Sequence, residues 1–530
     1  MMNFGLPFLL LLCAFTNAQC PYHPTAFYIP NVAQEPEIAA AFSSLSQRVS
    51  ASTPILNQTA GATALTVSVS FFNETVFFQG VGVRRYDTAR FEAPDLDTMF
   101  RVGSVTKLFT SLLLLVAVDQ GLLSGLDEPV SKTVKFSMLA PYSHATLASI
   151  DDITWQQLVS HMAGLPREAP CDPNAGCLTD TTTTILARLA NIRLQTLPST
   201  RAGYSNLGFS LIGNLAAEHL FGSSFAAALQ KFVLAPLGLT RTSVSVKAWL
   251  AGAYGPNLAL SYEPGTLNVN PAIAAQLGWS APCGEMISTP RDLNTVTQEL
   301  INGYNGGGVL FGRKSLYRAA MQPQFMDGAG DTGFASPYEV VFLRSFIVDR
   351  KGGNVAGYSA LVAVVPELGI SMTLNINSAF NELGAPGVHF IDVMVVAFSS
   401  MFSRLEPKRL YAVPTNHPLS DYVGSYSLGG TAITATVKAS ANPTELLFDV
   451  SLVPIKPLAL RWSNAGNEDF VVQLTTNGTH VNPPTIDCST VDVFDIVGAV
   501  ATFARDPVSN NVTSVALPSL GDVLVFQKTN

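Results

Sequence analysis

The run from Val105 to Asp119, VTKLFTSLLLLVAVD, is apolar almost all round and contains one cation, Lys107. A helix that is hydrophobic on every side either crosses a membrane or forms the centre of a large core. This run is shorter than the roughly 18 unbroken apolar positions a span requires, and no stretch beyond the first twenty residues reaches that length. The helix, opened by Gly103-Ser104 and closed by Gln120-Gly121, must therefore be surrounded by other elements. A chain of 530 residues that is 48% apolar can supply that surround and a second, smaller core. A disordered chain is excluded. Charged residues make up only 13% and the net charge is −8, which leaves no basic surface for a phosphate backbone. Neither a nucleic-acid partner nor a membrane span is expected.

The N-terminus differs from the rest. Gly5 to Phe15 reads GLPFLLLLCAF, the length of a signal-peptide core, and Thr16-Asn17-Ala18 makes a cleavage site, so residues 1–18 are read as a signal peptide. Export and an extracellular location are the expectation, and the sequons at Asn57, Asn73, Asn477 and Asn511 become glycosylation candidates on that ground. Beyond Cys13 the cysteines are Cys20, Cys171, Cys177, Cys283 and Cys488, an odd number that leaves one thiol free. The turn-rich CDPNAGC loop suits a Cys171–Cys177 disulfide. No CxxC pair, HExxH or zinc-like His/Cys spacing occurs, so neither a metal nor another cofactor is expected.

Along the chain, Pro36 to Ser50 has helical spacing, and Ala64 to Ser70 with Thr75 to Val83 reads as a hairpin turning at Asn73-Glu74. From about 130 to 260 the pattern becomes helical segments and loops, including Trp155 to His161, Thr181 to Gln195 and Asn206 to His219. Strand-like runs return at Glu339 to Phe346, Tyr358 to Val365 and Ile370 to Asn375, and a helix from Val388 to Phe402 closes the layer. This predicts an α/β (α+β) catalytic domain over residues 25–405 with a helical insertion and a cleft between the two. Three prolines in Pro407 to Pro418 mark a linker at 406–418, and the alternating runs of 419–530 predict a separate all-β domain.

Three constellations carry chemistry. In Ser104-Val105-Thr106-Lys107 the helical spacing places the ammonium beside the hydroxyl at a positive helix end. A serine hydroxyl is a poor nucleophile unless a proton acceptor activates it, which a desolvated lysine amine or a neighbouring phenolate provides. An isolated S-x-x-K more often marks a helix cap, but no other Lys in the chain has Ser three residues upstream, and this one lies in an apolar helix where an unpaired charge is costly. Tyr204-Ser205-Asn206 offers a phenol as proton shuttle and an amide that holds a lysine or a substrate carbonyl, against the plainer reading of a helix start. Lys351-Gly352-Gly353-Asn354 offers a cation beside glycines that let a substrate backbone approach an exposed N–H, against the plainer reading of a Gly-rich turn.

In this order the motifs resemble the serine β-lactamase and penicillin-binding-protein superfamily, and within it the class C β-lactamase, D-aminopeptidase and esterase branch, including secreted fungal forms with a C-terminal β domain. Phe100 to Phe109 (FRVGSVTKLF), Leu158 to Pro166 (LVSHMAGLP), Gly284 to Leu293 (GEMISTPRDL) and Tyr358 to Leu374 fit the same pattern, and the likeness covers about residues 30 to 405. It implies an antiparallel sheet flanked by helices, Ser104 as the acylated nucleophile, and Lys107 with Tyr204 as its base system. By the same resemblance Asn206, Lys351, Gly353 and Asn354 would bind substrate, with the backbone N–H groups of Ser104 and Asn354 as the oxyanion hole. Tyr-Ser-Asn in place of Ser-Asp-Asn speaks against a class A enzyme with a Glu deacylation base.

Where penicillin-recognising members have Lys-Thr/Ser-Gly, this chain has Lys351-Gly352-Gly353. The missing hydroxyl ranks esterase, amidase or peptidase activity above β-lactam hydrolysis. His161 reads as a buried structural histidine hydrogen-bonded to backbone. The expected activity is hydrolysis of an ester or amide in a small molecule or peptide by a monomer. Acyl transfer to an alcohol or amine uses the same residues, and a non-catalytic binding protein keeping the fold is the alternative from another class.

Overall fold

The computed structural model describes residues 19–20, 27–52, 63–87, 91–140, 153–244, 255–378, 384–410 and 418–529, less 264–265, 267, 329, 345, 356, 430, 441–444, 452–457, 463–468, 475–485, 488–499 and 520–521. The segment 1–18 read as a signal peptide, Asn57, Asn477 and Cys488 lie outside the described residues. The chain divides into two compact units, Ala26–Ser399 and Ser400–Asn530 with the N-terminal residues.

The first unit is built on a sheet. In chain order its main elements are α1 (Pro36–Ala51), β1 (Ala64–Phe71), β2 (Glu74–Gly82), α2 (Thr106–Asp119), α3 (Trp155–Val159), α4 (Thr182–Leu189), α5 (Asn206–Leu215) and α6 (Pro290–Tyr304). They continue with β3 (Phe325–Met326), β4 (Thr332–Phe334), β5 (Glu339–Leu343), β6 (Phe346–Val355), β7 (Tyr358–Val365), β8 (Ile370–Ile376) and α7 (Gly384–Leu410). The eight strands run antiparallel in the order β2-β1-β8-β7-β6-β5-β4-β3.

Helices cover both faces of this sheet, so every residue of β1, β7 and β8 is buried. On one face Phe42 of α1 packs against Phe77 at 5.1 Å between ring centroids, and Phe398 of α7 against Phe71 at 5.3 Å. The alternate residues of β1 and β8 face α6 through a buried polar layer. Asn294 Nδ2 donates to Ser68 Oγ (2.7 Å) and Thr75 Oγ1 (3.0 Å), Thr373 Oγ1 donates to Asn294 Oδ1 (3.1 Å), and Ser371 Oγ donates to Thr297 Oγ1 (2.8 Å). The period-2 alternation of Ser68 and Ser70 with Val67, Val69 and Phe71 therefore marks two buried faces of different polarity. It does not mark one wet face.

The helical part packs around a second core that includes Trp155, Leu158, Ile185, Leu207, Phe209 and Trp279. Its helices begin where caps dictate. Thr154 and Thr181 form capping boxes, and Ser205 Oγ accepts from the Gly208 N–H at 2.9 Å. Cys171 and Cys177 form a disulfide with Cα atoms 4.8 Å apart, and Cys283 is a buried free thiol. No helix among the described residues is long and apolar enough to cross a membrane.

The second unit is a closed antiparallel barrel of β9 (Gly424–Leu428), β10 (Thr434–Ala439), β11 (Glu445–Val450), β12 (Leu458–Trp462), β13 (Asp469–Leu474), β14 (Val500–Arg505), β15 (Val512–Ser519) and β16 (Asp522–Lys528). Its interior includes Tyr422, Tyr426, Phe448, Phe470, Phe503 and Phe526, the side-chain filling an eight-stranded barrel accommodates.

Two expectations are corrected. The run 339–346 is not one strand: β5 ends at Leu343, Arg344 turns with φ of 50°, and Phe346 begins β6, which carries Lys351 to Asn354 as strand and not as a Gly-rich turn. The helix read as 388–402 extends to Leu410, so the first residues of the segment read as a linker are helical. Substituting Asn294→Ala strands partners on β1 and β8 in the core and is expected to cost about 2–4 kcal/mol of stability, read by urea denaturation; a change under about 0.5 kcal/mol would contradict the polar layer's role.

Candidate active site

Ser104 lies in a single 3-10 turn, Gly103–Val105, that leads directly into α2. The N-cap positions of this turn and of α2 are Val102 and Val105, so Ser104 occupies neither. Gly103 adopts φ of +52°, a conformation costly for side chains, and this turn is pressed against β6. A Cβ on Gly103 would lie 2.8 Å from the Asn354 backbone nitrogen; one on Gly353 would lie 2.0 Å from the Val102 carbonyl oxygen and 2.8 Å from the Ser104 nitrogen. Both glycines are therefore required by sterics. Their contact brings the backbone of Ser104 beside that of Asn354. The outer edge of β6 is free of strand pairing there, because β5 pairs only as far as Glu339 opposite Arg350. The Asn354 side chain is held away by Ser359 Oγ, which donates to its Oδ1 at 2.6 Å.

One turn along, the Lys107 side chain is fully buried. Its Nζ donates to Ser104 Oγ (3.1 Å), Asn206 Oδ1 (2.7 Å) and the Cys283 carbonyl (2.7 Å). Three acceptors match the three hydrogens of an ammonium. Asn206 also donates from Nδ2 to Glu168 Oε1 at 2.8 Å, so a cation on one side and a carboxylate on the other fix which way the amide points. The amide therefore holds the lysine, with one of its own hydrogens taken by Glu168.

Tyr204 stands within reach of Ser104 and Lys351, with Lys107 Nζ 4.9 Å and Lys351 Nζ 5.1 Å from its ring centroid. Burial alone would raise its pKa, but the Lys351 and Lys107 charges outweigh that and bring it below the ordinary tyrosine value. Lys351 is fully buried and paired with Glu339. Burial disfavours its charge, and the Glu339 carboxylate together with Tyr204 more than compensates, leaving its pKa raised.

His161 is buried in the left-handed region at φ of 63° and stacks on Tyr204 at 4.5 Å. Its Nδ1 accepts from the Ser205 N–H at 3.0 Å, and burial followed by the Lys107, Lys351 and Arg167 charges pushes its pKa far down, so the ring is neutral. The segment after it templates the Tyr-Ser-Asn corner: Ser205 Oγ donates to the Pro166 carbonyl (2.7 Å), and the Asn206 N–H to the Arg167 carbonyl (2.6 Å).

These residues surround a cleft of about 330 Å³ whose walls include Ser104, Arg167, Tyr204, Glu339, Arg350, Gly352, Gly353 and Asn354. The structure thus brings Ser104, Lys107, Tyr204, Asn206, Lys351, Gly353 and Asn354 together. Cys171 and Cys177 belong to the helical part; with Asp180 they are the one grouping of metal-type donors among the described residues, and both sulfurs are taken by the disulfide. Asn73 and Asn511 are exposed. Sequence reading missed Arg167, Glu168, Glu339, Arg350 and the Cys283 carbonyl. Arg167-Glu168 carried an available signal, a charged pair directly after Gly-Leu-Pro in a charge-poor chain. Glu339 and the Cys283 carbonyl carried none, because tertiary structure alone delivers them.

The comparisons agree with this geometry. The family model described as Beta-lactamase matches residues 56–391. Beta-lactamase-like protein 4 of Dictyostelium discoideum is 24% identical over 417 residues, 75% of this chain and 70% of that protein. The D-alanyl-D-alanine-carboxypeptidase/endopeptidase AmpH of Escherichia coli K12 is 30% identical over 185 residues, 34% of this chain and 46% of that protein. Among solved structures, a class C beta lactamase from Rhodobacter sphaeroides shares the fold with a TM-score of 0.51 at 19% identity, covering 70% of this chain and 99% of that one. The chain belongs to the Beta-lactamase family, within the serine β-lactamase and penicillin-binding-protein superfamily.

Proposed function

We propose that this chain is a secreted serine hydrolase that cleaves an ester or amide bond through an acyl-enzyme on Ser104. The observation that carries the reading is the set of contacts around the nucleophile. Lys107 Nζ donates to three acceptors, and Ser104 Oγ, which accepts from it, keeps its own hydrogen to give away. Tyr204, its pKa lowered between two buried lysines, is the group placed to take that hydrogen.

The cycle follows. Ser104 Oγ attacks the carbonyl carbon as its proton passes to the Tyr204 phenolate, and the oxyanion is received by the Ser104 and Asn354 N–H groups. The carbon–leaving-group bond then breaks, with the proton returned from Tyr204 to the departing oxygen or nitrogen. Water repeats the sequence on the acyl-enzyme: it gives a proton to Tyr204, attacks the carbonyl carbon and releases Ser104. The AmpH relative, a D-alanyl-D-alanine carboxypeptidase and endopeptidase, supports amide bonds among the substrates. The segment 1–18, the Cys171–Cys177 disulfide and the exposed sequons at Asn73 and Asn511 support export.

Incubation with a fluorophosphonate should add one adduct by intact mass, absent in Ser104→Ala; an unlabelled wild type would overturn the assignment of Ser104. Lys107→Ala should slow acylation by about two or more orders of magnitude while the fold is retained, and near-normal turnover would remove it from the machinery. Because a lowered phenol pKa places the acid limb of kcat/KM below the ordinary tyrosine range, and Lys351 is the larger of the two lowering charges, Lys351→Met should move that limb to higher pH; an unmoved limb would show that another group sets it. Gly353→Ala pushes β6 off the Ser104 turn and should cost on the order of a hundredfold in kcat/KM, measured beside circular dichroism; unchanged kinetics would contradict the close contact.

A further inference from the structure

Two polar donors stand on the β6 side of the cleft, the Lys351 ammonium and the Gly352 N–H. Tyr204, which returns the proton to the leaving group, lies beside Lys351, so the leaving group departs over this segment. A carboxylate on the leaving group would seek those two donors. Both are already engaged by a carboxylate that belongs to the protein: Glu339 pairs with Lys351 Nζ through one oxygen and accepts from the Gly352 N–H with the other at 3.1 Å. Lys351 places a further hydrogen on the Gly352 carbonyl at 3.0 Å, and with only 1% of its side chain exposed it has no other open side. Glu339 itself is 27% exposed and lines the cleft, so its charge is presented to whatever enters.

Gly352 adds nothing that would substitute for the lost donors. A Cβ there would meet only Glu339 Oε2, at 3.9 Å, so the space over the strand is open and carries no hydroxyl. We infer that Glu339 selects against anionic leaving groups, so that the substrates of this chain release a neutral or cationic alcohol or amine; the inference rests on Ser104 as the nucleophile. The opposing feature is Arg350, which lines the same cleft and whose Nε is buried with no partner. An anion drawn to Arg350 would give the reverse preference, and the test separates the two.

The test compares 4-acetoxybenzoate with its methyl ester, which differ in the charge of the leaving group. The wild type should favour the methyl ester in kcat/KM by at least tenfold beyond the ratio of the two hydroxide-catalysed rates, and Glu339→Gln should narrow that preference by at least tenfold. A wild-type ratio equal to that of hydroxide, a preference for the acid, or a ratio unmoved in a folded Glu339→Gln protein would overturn the inference. Calorimetric titration of both compounds into Ser104→Ala and Ser104→Ala/Glu339→Gln reads the cleft without turnover. Tighter binding of the methyl ester to the single variant, with at least a fivefold gain for the acid in the double variant, supports the selection by Glu339, and a wild type that then fails to turn over either compound counts against the Ser104 reading instead. Equal binding of the two compounds to the single variant, or binding of neither, overturns it.

Discussion

A fully buried ammonium is the constraint around which the first unit is organised. Lys107 lies in an otherwise apolar helix, where an uncompensated charge would be prohibitive. It is tolerable because three acceptors arrive from three places: the turn that begins its own helix, the first residue of α5, and the carbonyl of Cys283. Satisfying one lysine therefore fixes the helical part against the helix that follows Ser104. Glu168 extends the same logic outward by orienting the Asn206 amide. Lys351 and, to a smaller extent, Lys107 itself lower the Tyr204 pKa, so stability and chemistry share an interaction.

A second constraint is steric. Gly103 and Gly353 let a helix turn and a strand approach until a single methyl group on either would collide with backbone. Two main-chain segments distant in sequence, at Ser104 and at Asn354, are thereby brought side by side. Beyond Arg350 the strand runs past its β5 neighbour, so its edge stays open where the chemistry requires it.

Much of this was legible in the sequence because the signals are local. The apolar run with its lone lysine, the hairpin at Asn73-Glu74 and the Tyr-Ser-Asn helix start each follow from spacing and capping, and their bounds agree with the structure to within a few residues. The site residues were legible as three motifs, since each motif keeps its members within a turn or a strand. Partners supplied by tertiary contact were not legible. Glu339 is twelve residues from Lys351 on the neighbouring strand, and nothing in its own segment distinguishes it from a surface acid. The serines of β1 gave no sign of their partners, because α6 covers them with a matching polar stripe, a complementarity that no single segment displays. A Gly-rich turn was the plainer alternative for Lys351 to Asn354 because glycines are the common signal for one, whereas Gly353 is small because another backbone presses on it.

The central claim is a division of labour in which Lys107 holds Ser104 and Asn206 through its hydrogen bonds and Tyr204 moves the proton. The pH dependence of the Ser104 acylation rate in Tyr204→Phe, set against the wild type, tests it most directly. The account predicts that acylation falls by orders of magnitude at every pH and that the acid limb disappears with the phenol. A variant that keeps the wild-type limb with only a modest loss of rate would contradict the account and return the base role to Lys107.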